Sequence, residues 1–168
     1  MSFVKIYNGK LVASTGYTLN VGADEVFNTA ASNHISATTM DSTHAIVCYR
    51  DGGNSDYGTA VCLTLSGTTV TASSEVVFNS AYTLYLSATA MDSTHAIVCY
   101  KDDGNSNYGT AVCLTLSGTT ITASSEVVFN AGTSSHTYSA MMDSTHAITC
   151  YKDEGNSNYG TANCIYIT

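Results

Sequence analysis

Three kinds of side chain in this chain have types and spacings that can do chemistry, and each occurs three times. The hairpin-forming run Asp51 to Tyr57, repeated at Asp102 to Tyr108 and Asp153 to Tyr159, brings a carboxylate, an amide and an aromatic ring into one short turn. Its Asp51, Asn54 and Tyr57, with the copies Asp102, Asn105, Tyr108 and Asp153, Asn156, Tyr159, are the candidate ligand-binding set. Acidic and amide oxygens suit a hard cation such as calcium, but the spacing lacks the 12-residue pattern and closing Glu of an EF-hand. Tyrosine rings stacking on sugar faces, with Asp and Asn taking the hydroxyls, suit a glycan. A glycine-bearing turn capped by its own Asx side chains accounts for the same residues without a ligand.

The second set is His44, His95 and His146, each after Asp-Ser-Thr at the start of a strand. Converging imidazoles would hold a metal or an anion; the simpler reading is a turn in which Asp41, Asp92 or Asp143 accepts the hydrogen bonds. The third set is six cysteines, Cys48 with Cys62, Cys99 with Cys113 and Cys150 with Cys164, symmetric about the hairpin loops and expected to face each other across adjacent strands. Reduced core thiols, cross-strand disulfides and metal ligands are the three readings. Core packing is favoured, and metal disfavoured, because no close C-x-x-C pair is present. No cofactor and no metal are expected.

A threefold appearance of every candidate group reflects an internal repeat, the feature that decides the fold. Residues 40–79 recur at 91–130 with four changes: Arg50 to Lys101, Gly52 to Asp103, Asp56 to Asn107 and Val70 to Ile121. A partial copy starts at Met142, and Gly16, Val26, Phe27 and Asn28 match Gly67, Val77, Phe78 and Asn79 in the same register of 51 residues. The chain is therefore read as one repeat domain, 1–168, with equivalent segments at about 1–39, 40–90, 91–141 and 142–168. The copies differ mainly at 29–37, 80–88 and 131–139, which makes His34, Tyr82, Tyr85, His136 and Tyr138 candidates for a tuned face.

Each unit reads as four strands: Ala45 to Tyr49, Thr59 to Leu65, Val70 to Phe78 and Leu84 to Ala90, separated by Gly, Asn, Asp and Ser turns. No 3.6-residue apolar period is sustained, so the class is all-β. A four-stranded antiparallel unit of this length has the size of a propeller blade. The run Met-Asp-Ser-Thr-His-Ala-Ile-Val-Cys-Tyr-Arg-Asp-Gly-Gly-Asn-Ser-Asp-Tyr-Gly-Thr-Ala at 40–60 resembles the blade repeats of propeller domains in phage fibre-like and secreted bacterial proteins. That resemblance implies a β-propeller-type tandem repeat of three four-stranded blades per chain.

Three blades are fewer than a ring usually holds, and Thr161 to Thr168 fall on the same repeat position as Asn8 to Thr15. The third unit lacks its outermost strand, while residues 17–28 are that strand at the other end. They are expected to pair, within a chain or between chains, with strand exchange giving a dimer of six blades or an open filament.

Composition narrows the partners. The net charge is −8, with Arg50 the only arginine and four dispersed lysines, which disfavours nucleic acid and anionic membranes. No apolar run approaches the ~20 residues of a spanning helix, and the opening residues carry no visible secretory signal. An extracellular or virion-surface setting is favoured over a purely cytoplasmic one. One arginine argues against a sialidase-like hydrolase, and Asp41, Ser42 and His44 lie too close together in one turn for a catalytic triad. The expectation is a non-enzymatic, lectin-like module for multivalent glycan or surface recognition. The alternative is a structural subunit of a virion fibre or extracellular filament.

Overall fold

The structure, a computed structural model, describes residues 4–7, 10–13 and 18–168. The repeating element is a hairpin. Strands β4 (His44–Asp51) and β5 (Tyr57–Ser66) pair with Ala45 opposite Leu63 and Asp51 opposite Tyr57. The copies are β8 (His95–Asp102) with β9 (Tyr108–Ser117), and β12 (His146–Asp153) with β13 (Tyr159–Tyr166). Ile46, Val47, Cys48 and Tyr49 are consecutive and all buried, so β4 is covered on both faces. That explains a continuous apolar run where a half-exposed strand would alternate. Gly67 and Gly118, at φ +62° and +61°, turn the chain back into β6 (Thr69–Ala72) and β10 (Thr120–Ala123), which lie on the outer halves of β5 and β9.

Where the sequence predicts separate strands at Val70 to Phe78 and Leu84 to Ala90, the chain does something different. β6 stops at Ala72, and a single long strand, β7, runs from Val76 to Ala90; its copy is β11 (Val127–Met141). The break comes from Ser73, whose Oγ accepts the Cys62 backbone N–H at 2.9 Å while its own N–H donates to the Cys62 carbonyl at 2.8 Å. The polar stretch after Asn79 stays extended because Thr83 N–H donates to the Asp56 carbonyl and Thr83 Oγ takes the Asn79 amide at 3.0 Å.

The long strands change partner midway. β7 pairs first with β5, from Val76 opposite Ala60 to Tyr82 opposite Tyr57, and then with β8, from Thr83 opposite Asp102 to Ala90 opposite Ala96. Each is thus the outer lane, or strand, of one unit and the inner lane of the next: unit 1 is β3 (Ser32–Thr39), β4, β5 and β6 with the first half of β7, unit 2 is the second half of β7 with β8, β9, β10 and the first half of β11, and unit 3 is the second half of β11 with β12 and β13. The outcome is an antiparallel sheet of 11 strands that does not close, ordered β13-β12-β11-β9-β8-β7-β5-β4-β3 with β10 and β6 alongside. No α-helix occurs among the described residues, and no helix is long and apolar enough to cross a membrane.

Successive units stack face to face. Met40, Ile46, Cys48, Ala60 and Cys62 of unit 1 bury against Leu86, Val98, Tyr100, Leu114 and Ile121 of unit 2. Unit 2 then offers Met91, Ile97, Cys99 and Ala111 to unit 3, where Ala147, Ile165 and Ile167 receive them. At roughly 25 cal/mol per Å² of apolar surface, these two interfaces are the main stabilising force. Tyr49 and Tyr100 are fully buried with each hydroxyl donating to Glu75 or Glu126 at 2.7 Å, and Phe78 sits 5.4 Å from Tyr100.

The amino-terminal stretch departs from the repeat. β1 (Val4–Tyr7) and β2 (Lys10–Ala13) pair with each other; the rest of the stretch that matches Thr161 to Thr168 lies outside the described residues. Residues 18–28 form no strand. Phe27 nevertheless packs 5.2 Å from Tyr49, and the Glu25 carboxylate accepts the Ala72 N–H at 3.1 Å.

Candidate functional site

The hairpin loops are built from a buried carboxylate outward. Asp51 Oδ1 accepts the Gly53 N–H at 2.8 Å and the Asn28 amide at 3.0 Å; Asp102 takes Gly104 at 3.0 Å and Asn79 at 3.2 Å. Asp51, Asp102 and Asp153 are all buried. The oxygens of Asp51 and Asp102 face inward and tie the first two loops to the neighbouring lane, so the outward chemistry belongs to the other members of the set. Asn54, Asn105 and Asn156 are exposed, and their amides have no partner among the described residues. Tyr57 and Tyr108 are half-buried and Tyr159 is exposed. Pairs of left-handed residues, Ser55 and Asp56, Ser106 and Asn107, Ser157 and Asn158, give the three loops one shape. The first loop also carries Arg50, with Nε 3.1 Å from Asp56 and its guanidinium 4.5 Å from the Tyr82 ring. Lysines take that place in the other two.

The turn histidines do not converge. Each pairs with the aspartate three residues before it, His44 with Asp41 at 2.9 Å, His95 with Asp92 at 2.9 Å and His146 with Asp143 at 3.0 Å. Asp41 also accepts the Thr43 and His44 backbone N–H groups at 2.7 and 2.8 Å. Bonds from Thr43, then His44, hold the Asp41 carboxyl well below the usual range, and Asp143 is held down in the same way by Thr145 and His146. At Asp92 burial pushes upward, and the His95 and Thr94 bonds together outweigh it. Among the described residues no three His, Cys, Asp or Glu side chains gather as a metal would require.

The cysteines correct an expectation. They do not face each other: Cys48 lies opposite Ala60 and Cys62 opposite Ile46, so each pair is diagonal on one face of its hairpin, and all six thiols are free. The register set by Asp51 opposite Tyr57 is offset from the midpoint of the two cysteines. Cys48, Cys62 and Cys99 are buried in the interfaces, with Cys99 pushed up to about 12 by its burial, whereas Cys150 and Cys164 are exposed.

A further constellation, invisible as geometry in the sequence, runs across the inner lanes. His34, Tyr85 and His136 hold one repeat position, each at a bulge with φ near +51°. Their rings form a row, with centroids 5.5 Å apart for His34 and Tyr85 and 5.1 Å for Tyr85 and His136. Side-chain rungs run beside it: Ser36 Oγ accepts the Ala88 N–H and Ser87 Oγ accepts the Ser139 N–H, both at 2.9 Å. His34 Nδ1 accepts the Tyr85 N–H at 3.4 Å, and burial, then Arg50, pushes this imidazole below its ordinary value. Bulky residues in left-handed backbone cost free energy and persist only where the surroundings enforce them. The 51-residue spacing of these three aromatic side chains was the available signal.

Comparison of the chain with protein-family models, with curated proteins and with solved structures returned no match.

Proposed function

We propose that the chain is a non-enzymatic recognition module of stacked propeller blades, binding a repetitive, hydroxyl-rich ligand such as a surface glycan through its hairpin loops. The observation that carries this reading is the threefold recurrence of one loop shape whose aspartate is buried while its Asn is exposed beside a tyrosine. Four-lane units stacked face to face, with one strand passing from outer to inner lane, support the blade reading. Equal loops at equal spacing favour a polymeric ligand, because several weak contacts on one molecule multiply in strength.

The test is a glycan array probed with wild type and with Tyr57→Ala, Tyr108→Ala, Tyr159→Ala singly and together. With an aromatic stacking contribution of roughly 0.5–1.5 kcal/mol, each single change should weaken binding about two- to tenfold and the triple should abolish it. A folded triple variant that binds as wild type, or a wild type that binds no glycan, overturns the reading.

A second reading, a structural subunit that joins to copies of itself, is favoured by the outer edge of β13, which has no partner among the described residues.

A further inference from the structure

The outer edge of β13 carries no outer lane among the described residues. β5 and β9 each carry an outer lane, with Ser66 opposite Thr69 and Ala60 opposite Val76 in unit 1, and the same register in unit 2. Among the described residues β13 pairs only with β12. A cleft of about 1070 Å³ therefore opens between units 2 and 3, walled by Ile97, Ala111, Phe129, Ile165 and Ile167. At the corresponding place between units 1 and 2 the space is filled by Ile121 of β10, only 4% exposed.

The outer lanes β6 and β10 have a further repeat equivalent in the chain. Residues 18–28 are the repeat equivalents of 69–79 and 120–130, and Leu19 holds the position of Val70 and Ile121. Leu19 is 94% exposed and Val21 90%. Phe27 on Tyr49 and Glu25 on Ala72 tether this segment to unit 1, at the far end of the stack from the cleft. The end faces match as well. Cys150 and Cys164 are exposed where Cys48, Cys62 and Cys99 are buried, and Ile35 of unit 1 is 55% exposed where its equivalent Leu86 is 9%.

We propose that residues 18–28 of a second copy form the outer lane of unit 3, so that the repeat continues from one chain into the next. Transferring the register of β9 with its outer lane puts Leu19 opposite Ile167, Val21 opposite Ile165, Glu25 opposite Ala162 and Asn28 opposite Gly160. Leu19 enters the cleft as Ile121 does one unit earlier. Phe27 keeps its place on Tyr49 of its own chain and lays its ring over Gly160 of the other, as Phe78 lies over Gly58. Unit 1 of the donor then covers the Cys150 and Cys164 face. The strand addition satisfies an open sheet edge, and the apolar plug and end face supply affinity and register. This inference rests on the second reading above and is independent of glycan recognition.

Gly160 provides the sharpest test. Among the described residues nothing lies within 4 Å of a methyl built there, whereas one at Gly58 would sit 2.6 Å from the Phe78 ring. Gly160→Ala is therefore silent in a single chain and obstructive in the joint. Wild type should show a mass that is a multiple of the 17.6 kDa chain by light scattering. Leu19→Asp should be a single chain, and Gly160→Ala should weaken association about tenfold or more at an unchanged unfolding midpoint. Cys150 and Cys164 should alkylate faster in both variants than in the assembled wild type. A wild type that stays single-chain at the highest attainable concentration overturns the proposal, whether or not its thiols are protected. So does either variant assembling as wild type does.

Discussion

At the level of single residues, the Asp-Ser-Thr-His turns are paired acid and imidazole groups that stiffen the start of each hairpin. Asp41, Asp92 and Asp143 are held below the ordinary carboxyl value of 3.8 by the bonds they accept. A depressed carboxyl contributes stability that is fully present above its unfolded value and is lost as pH falls through its folded value. Thermal midpoints should therefore decline as the solution is acidified below about pH 4, and a variant with Asp92→Asn should start lower and decline less over that window. A variant whose midpoint follows the same acid slope as wild type would contradict the assignment. These turns were legible in the sequence because Asp, Thr and His act on each other over three residues. The loop aspartates were legible only as polar groups: their inward direction depends on Asn28 and Asn79, distant in the chain but adjacent in the sheet. The diagonal cysteines were not legible, since a hairpin register turns on which loop residues pair first.

At the level of elements, the hairpins were readable from β-branched and aromatic runs bounded by Gly, Asn and Asp. The long strands were not. Ser80 to Thr83 and Ala131 to Ser134 are polar or small apart from Tyr82 and read as loop, yet tertiary bonds keep them extended. The glycines that β5 and β9 place beneath the phenylalanines of those strands have a measurable role. A methyl at Gly58 or Gly109 would press on the ring of Phe78 or Phe129 and on the hydroxyl of Thr83 or Ser134. Gly58→Ala and Gly109→Ala should each cost about 1–3 kcal/mol in chemical denaturation, the range for overpacked cores, by displacing the ring from Tyr100 or Tyr151. A change within experimental error would show that the rings yield freely.

At the level of the whole molecule, the repeat and the all-β class were plain from self-comparison, whereas the strand expected at residues 17–28 is not formed by the described residues 18–28. Which face of one unit meets which face of the next was not plain, because β4 and β8 are apolar on both sides. His34, Tyr85 and His136 were legible as candidates for a tuned face, but their stacking into one row was not, since it joins residues of three different units. The net charge of −8 per chain bears on the proposed joint, because two copies repel each other as they approach. Raising salt from roughly 0.01 to 0.15 M shortens the screening length from ~30 to ~8 Å, so association should strengthen. Sedimentation across that range checks it; weaker association in salt would mean that ion pairs, and not apolar plugging, hold the copies together.

The sharing of β7 and β11 between neighbouring units bears on how the molecule comes apart. The strand that finishes one unit is the same piece of backbone that begins the next, so peeling away an outer lane pulls on the inner lane beyond it. Adjacent units are coupled through covalent chain as well as through packed surface, and the loss of one exposes the edge of its neighbour. Under tension or heat the three units should therefore yield together, as one mechanical body, with a single unfolding transition in calorimetry.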